Sequence, residues 1–127
     1  MKRTHEILAG LSFLISFIIY VMTMAPTTSF WDCGEFIATS VTMGVPHPPG
    51  TPLYLILGNF FSQLPFFDDL GARVNLLSPI TSAFAVMFLY LISAQLIEEW
   101  RGKSESISDQ LITYGSAFIG AMTFAMT

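Results

Sequence analysis

Three long apolar stretches of this chain contain no acidic or basic residue: Ile7 to Met24, Leu76 to Ile97, and Leu111 to Thr127. Eighteen residues, the length of the first, reach roughly 27 Å as an α-helix, close to the thickness of a hydrocarbon core. In lipid every backbone N–H and C=O must be satisfied within the segment, so a stretch of this kind folds as a helix or not at all. Only 11% of the residues are charged, against about 25% in a soluble domain. That leaves too little polar surface to cover a water-soluble globule of this size. The expected fold is therefore all-α, a polytopic transmembrane helix bundle, embedded in a lipid bilayer.

The expected spans are residues 7–24, 52–67, 76–97 and 111–127, with an outer loop at 25–51. Lys2 and Arg3 precede the first span, and the positive-inside tendency then places the N-terminus in the cytoplasm. A cleaved signal peptide ending at Thr23-Met24-Ala25 is the rival. The apolar run exceeds the 7–15 residues of a signal core, and Pro26 would follow the cut. Counting spans puts 25–51 outside, 68–75 inside and 98–110 outside, and the excess of acids over bases in that last loop suits the outer side.

The second block contains Gly58, Asn59 and Gln63, whose amides point to a helix facing protein more than lipid. Thr51 followed by Pro52 reads as an N-cap and first helical residue. Asn75 or Ser78 is expected to cap the third helix, with Pro79 in its first turn. The fourth block offers two small-xxx-small pairs, Ser116 with Gly120 and Ala117 with Ala121, suited to close helix packing. Cys33 is the single cysteine, which excludes an intrachain disulfide. The chain reads as the N-terminal part of a larger polytopic protein, a complete four-helix protein being the alternative.

The outer loop carries the chemistry. Asp32 and Glu35 are the only acids between Glu6 and Asp68. They open a short interfacial helix, "FIATSVTM", which Gly44 is placed to terminate in the left-handed conformation before Pro46. Asp32 at N-cap with Glu35 three residues on is a capping-box pattern. The same spacing puts both carboxylates on one face, where one can deprotonate a hydroxyl while the other orients it or tunes its pKa. A divalent cation is a further use for such oxygens, although no metal ligand is assigned. "VPHPPGTP" then packs four prolines into the seven residues from Pro46 to Pro52 and holds His47 in a stiff segment near the same rim. Phe30 and Trp31 suit a membrane interface.

This order of motifs resembles the GT-C glycosyltransferases: a span, an acidic motif with an interfacial helix, then a proline-rich entry to the next apolar segment. The matching residues are Asp32 and Glu35, "HPPGTPLY" at 47–54, and "GARVNLLS" at 71–78. The stretch "WDCGEFIATSVTMGVPHPPGTPLY" is closest to one branch, a bacterial membrane family of formerly unknown function that includes a eukaryotic transmembrane O-mannosyltransferase. Two departures from the classical O-mannosyltransferases stand out: Cys33 and Gly34 separate the acids, and His47 replaces a lysine. The resemblance implies transfer of a sugar, mannose being one, from a polyprenyl-phosphate donor to a protein Ser/Thr or glycan acceptor, with inversion. It makes Asp32 and Glu35 the catalytic candidates. His47, Trp31 and Arg101 become candidates for substrate binding, with Lys103 a further outer cation. No cofactor is assigned with certainty, a divalent cation being the one left open, and no nucleic acid is expected among the partners. The implied location is a bacterial inner membrane with the site facing the periplasm. A transporter is the rival class, because acids at a membrane rim can mark ion pathways, but the three long stretches carry no acid or base. A non-catalytic scaffold packing through the fourth helix is the other.

Overall fold

The computed structural model describes residues 2–102 and 106–127; Lys103 lies outside them. The described chain is helical: α1 (Lys2–Thr23), α2 (Cys33–Thr42), α3 (Pro52–Ser62), α4 (Leu70–Asn75), α5 (Leu77–Arg101) and α6 (Ile107–Ala125). Two segments are long and apolar enough to cross a membrane, Thr4–Thr23 and Leu70–Arg101. The helices divide between two compact units. One holds α1 as far as Tyr20, α5 from Thr81, and α6; the other is Val21–Ile80.

In the first unit the core is Ala9, Val86, Tyr90, Ala94, Tyr114, Ala117 and Ala121. Of the two small-residue pairs on α6, Ala117 and Ala121 are buried, whereas Ser116 and Gly120 face outward. Three tyrosine hydroxyls here are paired: the Tyr90 hydroxyl lies 3.1 Å from His5 Nδ1, and Tyr20 donates to the Ala125 carbonyl at 3.0 Å. Tyr114 donates to Glu98 Oε1 at 2.6 Å. Ser106 caps α6, accepting from the Asp109 N–H at 3.1 Å, so this helix begins four residues earlier than the apolar run that marks it.

The second unit departs from the expected topology. The second apolar block is helical only over Pro52–Ser62, 11 residues or about 16 Å, half a hydrocarbon core. The segment expected on the opposite face lies against the outer loop instead. Asn75 Nδ2 donates to the carbonyls of Ala25 (3.0 Å) and Thr27 (2.9 Å), and the Thr27 hydroxyl donates to Asp69 Oδ2 at 3.3 Å. Hydrogen-bonded groups cannot sit on two sides of a bilayer, so 25–35 and 68–75 share one face and α3 does not cross. Its amide does turn toward protein, as expected: Asn59 donates to the Ser40 and Val41 carbonyls that close α2.

Gly58 lets these helices meet. A Cβ there would fall 2.6 Å from Ser40 Oγ and 3.3 Å from Val74 Cγ1, so only hydrogen fits. Arg73 binds the far end of α3 and the turn after it, donating from Nε to the Phe67 carbonyl (2.6 Å) and from Nη1 to the Ser62 carbonyl (3.2 Å). Asp69, not Asn75 or Ser78, provides the cap in this region, accepting from the Ala72 N–H at 3.0 Å. Pro79 separates α4 from α5, because it has no N–H to give the carbonyl of residue 75.

Candidate functional site

The loop before α2 ends at Trp31, whose φ of 62° lies in the left-handed region, uncommon for a bulky side chain. That turn aims Asp32 into the first residue before α2. Asp32 occupies the N-cap position, but its side chain makes no capping bond, and its backbone carbonyl receives the Phe36 N–H at 3.0 Å. Glu35 does not reach back to complete a capping box. One further capping expectation fails, and another holds in position alone. Met43, with φ 52°, takes the left-handed cap of α2 in place of Gly44. Thr51 precedes Pro52 as expected, yet its hydroxyl is buried with no partner.

Both Glu35 oxygens go to His47. Oε1 accepts the His47 backbone N–H at 2.8 Å, and Oε2 lies 2.7 Å from Nδ1. The side-chain hydrogen bond, with the backbone one behind it, holds the Glu35 carboxyl below the ordinary carboxylate range. The same bond, reinforced by the charges of Glu35 and then Asp32, raises the His47 imidazole above its ordinary value. Pro46, just before His47, is buried, which fixes the chain on that side. The pair itself is substantially exposed.

Asp32, Glu35 and His47 present ligand atoms that all lie within 4.8 Å of one another. The trio expected from sequence is thus brought together, across 15 positions, by a turn and a proline segment. Asp32 is the member whose carboxylate makes no hydrogen bond among the described residues. The Phe36 ring adjoins the trio, with its centroid 5.8 Å from those of His47 and Tyr54. Beyond it a cleft of about 490 Å³ is lined by Met24, Cys33, Phe36, Thr51, Tyr54 and Asn75, among others.

Of the two other candidates, one lies beside the trio in sequence and one in the other unit. Trp31 adjoins Asp32 in sequence, but its indole is 95% exposed and makes no hydrogen bond or ring contact among the described residues. Arg101 is the last residue of α5 and belongs to the other unit. Asn75 and Arg73 went unremarked as site-building residues. Their signal is a single amide and a single cation in an otherwise apolar run, each meeting main-chain carbonyls that only the fold reveals.

Residues 32–127 match the family described as the protein O-mannosyl-transferase TMEM260 N-terminal domain. The chain belongs to this family. Among curated proteins it is 37% identical to "Protein O-mannosyl-transferase tmem260" of Dictyostelium discoideum over 93 residues, 72% of this chain and 11% of that protein. It is 33% identical to "Protein O-mannosyl-transferase TMEM260" of Mus musculus over 72 residues, 57% of this chain and 10% of that protein. The chain therefore spans about a tenth of the length of these relatives. No solved structure matches.

Proposed function

We propose that this chain carries the acid–base part of a membrane glycosyltransferase, which moves mannose from a polyprenyl-phosphate donor to a protein Ser/Thr hydroxyl. The observation that carries the reading is the division of labour between the acids. Glu35 spends both oxygens on His47, while Asp32, the first residue of the family match, keeps its carboxylate available. Asp32 takes the proton of the acceptor hydroxyl as its oxygen attacks the anomeric carbon. The bond to the phosphate oxygen breaks and the polyprenyl phosphate leaves, so the anomeric centre inverts. Glu35 positions His47. With Nδ1 committed to Glu35, Nε2 is the imidazole nitrogen left to donate to the phosphate or the acceptor. The donor's polyprenyl tail stays in lipid while its head reaches the aqueous edge.

With the N-terminus cytoplasmic, α1 delivers Val21–Ile80 to the non-cytoplasmic face, the periplasmic one in a bacterial inner membrane. Because α3 does not cross, α5 is the segment that returns the chain. Within Val21–Ile80 the donor phosphate then depends on His47. The decisive experiment is Asp32→Asn in the full-length protein, assayed with polyprenyl-phosphate mannose and a Ser/Thr peptide. A loss of about 100-fold or more is expected for removal of a general base; undiminished transfer by a normally inserted protein rejects the assignment.

The close approach of the three ligand atoms favours a second reading, in which Asp32, Glu35 and His47 hold a divalent cation. An ion would need the imidazole in its neutral form, with Nδ1–H still donated to Glu35 and Nε2 free to ligate. Transfer abolished by EDTA and restored by Mn²⁺ or Mg²⁺ supports that reading, and indifference to EDTA rejects it.

A further inference from the structure

We infer that Asn75 is a positioning residue, which holds the loop carrying Asp32 in register with the Glu35–His47 pair. This rests on the reading of Asp32 as the base. The chain between α1 and α2 has no regular secondary structure, and a carboxylate on an untethered loop would sample many orientations. Asn75, at the end of α4, grips this loop on both sides of Asp32. Its Nδ2 donates to the Ala25 and Thr27 carbonyls at 3.0 and 2.9 Å, and its Oδ1 accepts from the Cys33 thiol at 3.8 Å. The side-chain amide is the group this position needs, since it offers two N–H donors and an acceptor together. Aspartate has the same shape but nothing to donate, and it would set a negative charge against two carbonyl oxygens.

The rest of α4 supports the grip. Asp69 accepts from the Thr27 hydroxyl. Gly71 lets the loop approach, because a Cβ there would lie 3.3 Å from Thr27 Cα and 2.9 Å from Asp69 Oδ1. Asn75 thus acts through the loop backbone, without a role in the proton transfer itself.

The test uses the full-length protein and the near-isosteric Asn75→Asp. Two readouts are needed. Hydrogen exchange of residues 25–31 should accelerate about tenfold or more, while α5 keeps its protection as the control for folding. Transfer of mannose from polyprenyl-phosphate mannose should lose roughly 10- to 100-fold in kcat, as expected when a reacting group is misplaced by about 1 Å, with KM for donor and acceptor within twofold. In an Asp32→Asn background the same substitution should cost little further kcat, because no base remains to position. An equal proportional loss in both backgrounds overturns the inference, as does a rise in KM alone or unchanged exchange of the loop. The underlying reading fails separately, by full activity of Asp32→Asn, and the exchange measurement does not depend on it.

Discussion

The two units solve the same problem, fixing helices against each other, by opposite means. In the unit of α1, α5 and α6 the core is rich in alanines and tyrosines, and hydrogen bonds of the Tyr20, Tyr90 and Tyr114 hydroxyls join its elements. In Val21–Ile80 the helices are 6 to 11 residues long and cannot bury enough apolar surface to hold themselves. Amide and guanidinium groups reach across to main-chain carbonyls instead: Asn59 to α2, Arg73 to the end of α3, Asn75 to the loop before Asp32. A long apolar helix needs only smooth packing in lipid. A short helix bearing a catalytic candidate needs its loops fixed, and carbonyls without helix partners are what polar side chains can fix.

The glycines expose the difference most directly. Gly58→Val should destabilise Val21–Ile80 by about 3 kcal/mol, the upper range for overpacking, because its Cβ would meet Ser40. Thermal unfolding of the solubilised protein reads the loss, and Ser40→Gly in the same chain should recover part of it. Next in size, Ala121→Leu should cost about 1–3 kcal/mol by overfilling a site that is 1% exposed. On the outward face of the same helix, Gly120→Ala has nothing within 4 Å to meet and should gain up to about 1 kcal/mol from helix propensity. If Gly120→Ala destabilises as much as Ala121→Leu, the assignment of one packed face to α6 is wrong.

The smallest effect lies at the exposed pair. Its sign follows from the two shifts. Glu35, lowered in the fold, contributes stability above 4.5 that is lost as pH falls through its depressed value. His47, raised in the fold, contributes stability that is full below 6.5 and lost as pH rises through its elevated value. The pair is therefore at full strength between those ordinary values. An NMR titration should find the His47 imidazole protonated above its ordinary range, and Glu35→Gln should return it toward 6.5. An unchanged His47 titration in that variant would break the link between the two residues.

The candidate trio was legible because acids are so scarce between Glu6 and Asp68 that Asp32 and Glu35 stand out, and because the prolines mark His47 as stiffly held. Its internal wiring was not. A capping box and a catalytic pair share one spacing, and nothing local decides whether Glu35 turns back to Asp32 or across to a residue twelve positions on. The family resemblance was readable for the same reason, since it rests on the order of motifs and not on contacts.

Long uncharged stretches such as Ile7–Met24 decide on their own that this chain makes helices for lipid, because backbone groups in hydrocarbon have no other partners. Apolar composition could not decide that Pro52–Phe67 stops short of crossing. The apolar residues run on beyond Ser62, where the helix ends, and only the bonds from Asn75 to Ala25 and Thr27 place residues 25–27 and 75 on one face. Those bonds join residues about fifty positions apart, a distance across which periodicity and propensity carry no information.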